Sequence, residues 1–121
     1  MSVATSEYRA SHRYAHMSAY KARRAADLIR GLDVNRAMLV LNGDQTRGAA
    51  FFKKVLSSAV ANAAQDESVD VNRLFVKDAR VDQGPLIHGR PRFRPGSMGR
   101  MMEIRRRTSH FRITVAPRRE A

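Results

Sequence analysis

Hydrophobic residues in the first half of the chain recur with the 3.6-residue period of an α-helix in three segments. The first predicted helix spans Ser18 to Gly31, the second Asp33 to Gly43, and the third about Thr46 to Gln65. Ser18 and Asp33 are typical N-cap residues, and Gly31 suits the left-handed conformation that ends many helices. We expect the second helix to be about two turns long. The side chains predicted to face the core are Ala22, Ala25, Ala26 and Ile29, then Val34, Ala37, Met38 and Leu41, then Phe52, Val55, Leu56, Ala59 and Ala63.

After the third helix the hydrophobic period shortens towards two, which is typical of half-buried β-strands. One alternation starts at Leu74, and a second runs from His110 to Val115. The segment from about Ser6 to His16 alternates less regularly, and we predict that it pairs as a third strand. Leu74 and Val76 alternate with Phe75 and Lys77, and Phe111, Ile113 and Val115 alternate with His110, Arg112 and Thr114.

Residues 84–103 join the two later strands and contain residues that disrupt a regular ladder. Pro85, Pro91 and Pro95 cannot donate a backbone hydrogen bond, and four glycines loosen the same segment. We interpret it as the irregular tip of a hairpin over about 74–115, which would reach roughly 60 Å if fully extended. The predicted fold is a single α+β domain over residues 1–121, with three helices packed on a small antiparallel sheet and a long protruding β-hairpin. Residues 1–73 and the hairpin base would form its body.

Charge is distributed unevenly along the 121 residues. The chain has 23 Lys and Arg against 11 Asp and Glu, a net charge of +12. Residues 84–121 hold 10 basic and 2 acidic residues, whereas residues 1–83 hold 13 basic and 9 acidic residues. Phosphate would neutralise this repulsion and release condensed counterions, so nucleic acid is the predicted partner. Because 19 of the basic residues are Arg, whose planar fork binds phosphate and stacks on bases, structured RNA is favoured.

The clearest binding motif lies in the predicted tip, from Arg90 to Arg100. It interleaves guanidinium groups with Phe93, one methionine and several glycines. Arginine bridges phosphates or stacks on bases, an aromatic ring stacks, and glycine lets the main chain approach closely. A solvated, disordered loop is the alternative, but a loop kept only for solubility would mix both signs of charge.

A second basic run, Arg105 to Arg107, is predicted to lie on the returning strand. Alternation would place Arg105 and Arg107 on one side and Arg106 on the other, so both faces of the ribbon would be cationic. Burial inside folded RNA meets phosphate on all sides, whereas a DNA groove usually contacts one face. The body offers further candidates for phosphate contacts in Lys21, Arg23, Arg24, Lys53 and Lys54.

Signals for catalysis and metal binding are weak. Cysteine is absent, and His12 and His16, although spaced like a helical zinc pair, fall in a predicted strand. Ser109 and His110 are strand neighbours that would point to opposite faces, so they cannot form a catalytic triad. The sequence also has no G-x-x-x-x-G-K-[ST] phosphate loop. We therefore expect no enzyme activity, no metal and no cofactor.

Two other classes of protein stay open on these features. A DNA-bending protein could clamp the minor groove with a basic arm and a wedge formed by Pro91, Phe93 and Pro95. Such proteins are usually dimers, and the predicted helices show no second apolar face. A secreted cationic protein acting on membranes would need a signal sequence, and residues 1–16 lack its apolar core. No segment is long enough to span a membrane, and a cytoplasmic location is the expectation.

Several stretches, in order along nearly the whole chain, form a specific combination. They are SAYKAR at 18–23 leading to ADLIRG at 26–31, KVLSSAVANA at 54–63, GP at 84–85, RFRP at 92–95 with MGR at 98–100, and RRTSH at 106–110. Through them the chain resembles the family of large-subunit ribosomal protein number twenty-two, in its bacterial or organellar form.

The resemblance implies a body on the ribosomal surface near the exit of the nascent-peptide tunnel, and a hairpin running inward through ribosomal RNA to the tunnel wall. It implies a structural constituent of the large subunit that contacts several RNA domains and neighbouring ribosomal proteins and takes part in assembly. The tip would meet the nascent polypeptide and the macrolide-binding region. No homo-oligomer and no membrane partner are expected, and the ribosome would be cytoplasmic or organellar.

Charge pattern and resemblance together select the candidate residues. The tip departs from the family pattern in two places. The segment 86–91 is longer than usual, and Gly96-Ser97 stands where the family tends to have a basic residue together with Ala. We expect the longer segment to reshape the tunnel wall locally. The residues predicted to line the tunnel are His88, Gly89, Arg90, Pro91, Arg92 and Phe93. The residues predicted to bind RNA are Arg13, Lys21, Arg24, Lys53, Lys54, Arg90, Arg92, Phe93, Arg94, Arg100, Arg105, Arg106, Arg107 and His110.

Overall fold

A computed structural model describes residues 6–118, so the two ends of the predicted domain, 1–5 and 119–121, lie outside the described residues. Three helices pack on a small antiparallel sheet from which a hairpin protrudes, which confirms the predicted α+β fold. The elements are β1 (Tyr8–Ala15), α1 (Ala19–Ile29), α2 (Val34–Gly43), α3 (Arg47–Ala64), β2 (Leu74–Leu86), β3 (Arg92–Pro95), β4 (Met101–Ile104) and β5 (Arg107–Pro117).

The three helices begin and end close to the predicted positions. Ser18, Asp33 and Thr46 occupy the N-cap positions, and Gly31 has the predicted left-handed conformation, with φ of 84°. α2 has 10 residues, almost three turns, so the expected two turns were too short: Asn42 and Gly43 remain helical. All the side chains predicted to face the core are buried except Met38, which is half-buried.

The sheet of the body has the strand order β1-β5-β2, and both pairings are antiparallel. β5 is central, and its alternating residues Phe111, Ile113 and Val115 are fully buried beneath the helices. Phe111 packs in an aromatic cluster with Phe52 at 4.9 Å and Phe51 at 5.2 Å between ring centroids. β1 pairs with β5 as predicted, with a bulge between His12 and Ala15.

Helices α1 and α3 pack closely near their N-termini. A Cβ atom on the buried Gly48 would lie 3.3 Å from the Cα atom of Ala22, so two small residues allow the backbones to approach. Small residues at a helix crossing shorten the distance between the axes. The first turns of the two helices therefore lie side by side.

The hairpin consists of two ladders separated by a joint, which is formed by residues 87–91 on the outgoing side and by Arg105 and Arg106 on the returning side. The β2–β5 ladder ends where Leu86 lies opposite Arg107, and a second, two-stranded sheet forms between β3 and β4. In the joint, the Ile87 N–H donates to the Arg106 carbonyl over 2.8 Å, and His88 and Gly89 have φ of 62° and 72°. The segment predicted as an irregular tip is irregular at the joint and the turn, but 92–95 and 101–104 form a regular ladder.

The joint also changes the expected geometry of the second basic run. Arg105 and Arg106 lie between β4 and β5, and only Arg107 belongs to a strand. The prediction that the three arginines alternate along one strand was wrong, because the joint interrupts the strand there. The backbone of the joint, and not the alternation of a strand, therefore sets the directions of the Arg105 and Arg106 side chains.

Candidate nucleic-acid interface

The ribbon formed by β3 and β4 presents two different faces. All four residues of β3 are exposed. Side chains alternate along a strand, so Arg92 and Arg94 share one face and Phe93 lies on the other. Phe93, 56% exposed, is paired with Glu103, whose carboxylate accepts a hydrogen bond from Arg105 Nε over 3.0 Å. One face is therefore cationic, while the other combines an aromatic ring with a neutralised ion pair.

The turn beyond the ribbon is tight and carries an exposed methionine. The Gly96 N–H donates to the Arg100 carbonyl over 2.6 Å, and Met98 and Gly99 adopt φ of 58° and 72°. Met98 is 96% exposed, and a Cβ atom on Gly96 would lie 2.6 Å from Cγ of Met102. Glycine at 96 thus leaves room for the Met102 side chain, while the Met98 side chain is exposed in the turn.

The residues predicted to line the tunnel fall on the joint and the start of β3. His88, Gly89 and Arg90 are exposed in the joint, and Pro91 is half-buried. Arg90 precedes β3 and Arg100 precedes β4, both exposed. His88 and Gly89 thus lie beside Tyr14 and His16 near the body, whereas Arg92 and Phe93 lie on the ribbon, and the contact of these residues with a tunnel stays a prediction.

Two of the basic residues predicted on the body meet three predicted on the hairpin base in one concave surface. This junction cleft, about 930 Å³ in volume, lies where the first turns of α1 and α3 face the joint. No carboxylate of the described residues lines it. Its six cations are Lys21 and Arg24 of α1, Arg47 of α3, and Arg105, Arg106 and Arg107 of the hairpin base.

These cations keep most of their charge available to a partner. Arg105 is the exception, since its guanidinium is paired with the Glu103 carboxylate, an interaction that also raises the pKa of Arg105. Within residues 6–118 the other five form no ion pair with a carboxylate. Arg47 also lies over the Phe51 ring at 5.8 Å, which holds its guanidinium near the first turn of α3. The electrostatic field of the cleft is therefore strongly positive.

The helix N-termini in the cleft add backbone donors. A helix leaves its first N–H groups without helical acceptors, and its dipole places partial positive charge there. The side chains of Ser18 and Thr46 occupy the N-cap positions but make no capping hydrogen bond, and neither first turn contains an acidic residue. Both cap residues line the cleft. Anions bind well at such positions.

Sequence reasoning missed Arg47. Its signal was present, because an arginine at the first position of a helix lies against the unfavourable end of the dipole, where acidic residues are preferred. That arrangement suggests an external anion, although it is recognisable only once the start of α3 is known. Lys53 and Lys54 were predicted to bind RNA, but these residues of α3 do not line the cleft.

His110 and Arg13 make contacts inside the protein. The Tyr14 backbone N–H donates to His110 Nδ1 over 3.0 Å, and the two rings meet edge to face at 4.9 Å. Arg13 is exposed, and its guanidinium lies 5.3 Å from the Tyr14 ring centroid. His110 thus joins β5 to the bulge of β1, and the RNA contacts expected of both residues stay predictions.

Neither metal nor membrane chemistry finds support in the described part of the chain. Within residues 6–118 no three His, Asp or Glu side chains come together to hold a metal ion. No helix there is long and apolar enough to cross a membrane.

Comparison with known proteins identifies the family. Residues 10–116 match the model of the family described as ribosomal protein L22p/L17e. The chain belongs to this family. Large ribosomal subunit protein uL22 of Bdellovibrio bacteriovorus is 44% identical over 109 residues, which cover 90% of this chain and 96% of the relative. The uL22 protein of Desulfotalea psychrophila is 41% identical over 109 residues, with the same coverage.

Membership in the L22p/L17e family confirms the resemblance found in the sequence. The chain is a structural constituent of the large ribosomal subunit, and the family is not one of enzymes. This family membership places the chain in the ribosome. Both relatives are bacterial, so they give no support to the organellar alternative.

Proposed function

We propose that the chain binds large-subunit ribosomal RNA along its hairpin, assists assembly of the subunit and lines the nascent-peptide exit tunnel with the hairpin tip. The observation that carries the proposal is the exposed β3–β4 ribbon. The arginines of β3 are exposed and do not cover a hydrophobic core. A two-stranded ribbon alone in water is marginally stable. A partner that supplies phosphate on one face and surrounds the ribbon would stabilise it.

The two faces of the ribbon suit two different partners. Arg92 and Arg94 suit phosphate or stacked bases, because guanidinium combines a hydrogen-bonding fork with a flat face. The opposite face carries Phe93 and exposed Met101, which suit contact with a passing polypeptide. The ribbon would therefore lie with its arginines against RNA and its aromatic face towards the tunnel lumen.

Assembly follows from the same geometry. A cationic arm that folds fully only against RNA gains its order when the RNA folds around it, so arm and RNA stabilise each other. Contacts with several RNA domains would let one chain hold them together. The body would then contact neighbouring ribosomal proteins at the surface, and the monomer is the expected free state.

Removing the arginines of the ribbon while keeping its backbone tests the proposal. Arg92→Gln with Arg94→Gln should leave the unfolding transition unchanged and lower the slope of log affinity against log salt for ribosomal RNA by about 1.4, since each phosphate contact contributes about 0.7. Filter binding across a salt series measures it. Arg36→Gln with Arg112→Gln removes the same charge from exposed positions of the body. An equal loss of slope in both pairs would contradict a specific role for the ribbon.

A cryo-EM map of ribosomes containing this chain tests the tunnel contact. Density for residues 88–93 at the tunnel lumen is the expected result. Density showing these residues folded into RNA away from the lumen would overturn tunnel lining while leaving RNA binding intact.

A further inference from the structure

His110 lies where the hairpin leaves the body, and its ring contacts both strands that flank β5. The alternation with the fully buried Ser109 and Phe111 places this ring on the face of the sheet opposite the helices. Its Nδ1 atom accepts a hydrogen bond from the Tyr14 backbone N–H of β1 over 3.0 Å. Cε1 and Nε2 each lie 3.2 Å from the position of a Cβ atom on Gly84 of β2. One imidazole ring therefore joins all three strands at this point.

The hydrogen bond holds a residue with an unusual backbone. Tyr14 has φ of 59°, a left-handed conformation that a bulky side chain rarely adopts, and it lies in the bulge between His12 and Ala15. Such a conformation persists only where the surroundings hold it in place. The Tyr14 and His110 rings also meet edge to face, with centroids 4.9 Å apart. His110 thus gives this strained residue both a polar and an aromatic contact.

The hydrogen bond requires a neutral imidazole. Nδ1 accepts only while it carries no proton, so the bond assigns the proton of the neutral ring to Nε2. Protonation would place N–H groups on both nitrogens, and Nδ1–H would then face the Tyr14 N–H, donor against donor. Histidine is the side chain whose charge ordinarily changes between about pH 5 and 8. Because this hydrogen bond lies at the exposed surface, water can accept the Tyr14 N–H once the imidazole is charged.

Asp82 of β2 offers the charged ring another partner. It lies directly opposite His110 in the β2–β5 ladder, where the Cβ atoms of such a pair are about 5 Å apart. Within residues 6–118 the Asp82 carboxylate forms no ion pair. An imidazolium that turns from Tyr14 towards Asp82 would gain a charge-assisted hydrogen bond. Protonation would thus exchange a contact with β1 for a contact with β2.

The other charged and titratable groups near His110 come from the strands and the joint, because the helices pack on the opposite face of the sheet. Cations there oppose a further positive charge, whereas Asp82 favours it. The cations are Arg13 of β1, whose guanidinium lies 5.3 Å from the Tyr14 ring centroid, and Arg80 of β2 and Arg112 of β5, which lie opposite each other. The remaining groups are the Tyr14 hydroxyl and the imidazoles of His16 and His88, which line one hollow beside Tyr14.

We propose that His110 is a pH-sensitive switch between β1 and the base of the hairpin. In the neutral state, Nδ1 holds the Tyr14 N–H and the ring packs on Gly84. In the protonated state, the ring releases the bulge of β1 and pairs with Asp82. The bulge then moves independently of the hairpin base, while the rest of β1 stays paired with β5. This inference goes beyond the proposed function and does not depend on RNA binding.

NMR spectroscopy of the full chain without RNA tests the switch. Between about pH 8 and 5, the Tyr14 amide signal and the His110 ring signals should shift with one shared midpoint. Protection of the Tyr14 amide from hydrogen exchange, corrected for the intrinsic effect of pH, should fall about tenfold over that range. Protection of the Ile113 amide in the covered part of β5 should not change. A Tyr14 amide that does not follow the His110 ring would overturn the switch.

Variants of His110 separate the hydrogen bond from the charge. The side-chain oxygen of His110→Asn can accept the Tyr14 N–H at every pH, so the Tyr14 amide should stay protected throughout the titration. His110→Phe keeps a ring without an acceptor, so the amide should exchange fast throughout. Asp82→Asn should move the transition of the Tyr14 amide to lower pH, because the charged ring loses its carboxylate. A pH-dependent Tyr14 amide in His110→Asn would contradict the proposal. Because the first measurement uses the unaltered chain, it decides the matter even where a variant does not fold.

His16 and His88 provide matched controls, because both imidazoles lie beside Tyr14 and, within the described residues, neither accepts its N–H. His16→Gln and His88→Asn should keep the pH response of the Tyr14 amide. Asn tolerates the left-handed backbone of residue 88, whose φ is 62°. Loss of the response in either variant would assign it to that histidine and overturn the role of His110.

Discussion

The body and the hairpin tip are both built on antiparallel ladders, yet they differ in what covers them. In the body, β5 buries Phe111, Ile113 and Val115 completely beneath the helices α1 and α3. In the tip, every residue of β3 is exposed, and Ile104 is the only half-buried residue of the described β4. A ladder without a buried face lacks the main favourable term in folding. The comparison predicts that the body folds by itself and that the tip depends on its partner.

The largest expected effect comes from comparing two phenylalanines, one in each of these environments. Phe111→Ala should destabilise the protein by about 3 to 5 kcal/mol, because it removes a fully buried ring that contacts Phe51 and Phe52. Phe93→Ala in the exposed ribbon should change the free energy of unfolding by less than about 0.5 kcal/mol. Chemical denaturation of both variants measures the difference. Similar losses would mean that the tip shares the core of the body.

The next largest effect lies where the stem of the hairpin joins the body. A Cβ atom on Gly84 would lie 2.6 Å from Thr108 Oγ1 and 3.2 Å from the His110 ring, so Gly84→Ala should cost about 1 to 3 kcal/mol. Among the described residues, nothing beyond the chain neighbours of Gly43 and the backbone of its own helix lies within 4 Å of a Cβ atom built there. Gly43→Ala should leave the stability unchanged or raise it by up to about 1 kcal/mol. A neutral Gly84→Ala would show that the stem is looser than the body.

A smaller, pH-dependent effect concerns the edge strand β1. The Tyr8 hydroxyl donates to the Asp66 carboxylate over 2.6 Å, which lowers the pKa of Asp66 and raises the pKa of Tyr8. The stability from Asp66 is present above its unfolded-state pKa of about 3.9 and is lost as pH falls through the lowered folded pKa. The stability from Tyr8 is complete below about pH 10 and is lost as pH rises through the raised pKa.

Thermal melts across pH check this hydrogen bond. Tyr8→Phe should lower the melting temperature most between about pH 5 and 9 and approach the unaltered protein at both extremes. Tyr14→Phe is the control, since the exposed Tyr14 contributes its backbone N–H and its ring. A uniform shift across pH would show that lost packing, instead of the hydrogen bond, explains the result.

The smallest effect is expected at the buried Ser109. Within residues 6–118 its Oγ atom has no hydrogen-bond partner, so Ser109→Ala removes an unsatisfied group and should change the stability by less than about 0.5 kcal/mol. The neighbouring Thr108 donates to the Pro85 carbonyl, and Thr108→Val should cost about 1 kcal/mol. Denaturant midpoints distinguish the two. A large loss for Ser109→Ala would reveal a partner for its hydroxyl group.

Local patterns sufficed for most of the elements. The inner stripe of α3 and the alternation of β5 were readable because each reflects one buried face repeated at the period of its backbone. The joint was not readable in this way, because it follows a register shift between Gln83 and Leu86, after which the β2–β5 ladder ends. Register depends on pairing across the hairpin, which a single strand does not reveal.

The candidate site divides in the same way. Charge counting along the sequence was enough to predict a polyanion partner and to select the tip arginines, because consecutive residues share one location and their charges add. The junction cleft required the tertiary structure. Arg24, Arg47 and Arg106 are far apart in the chain, and only the packing of Gly48 against Ala22 and the pairing of β2 with β5 place them around one opening. A local pattern records the face of one element, whereas a site shared by three elements exists only after they pack.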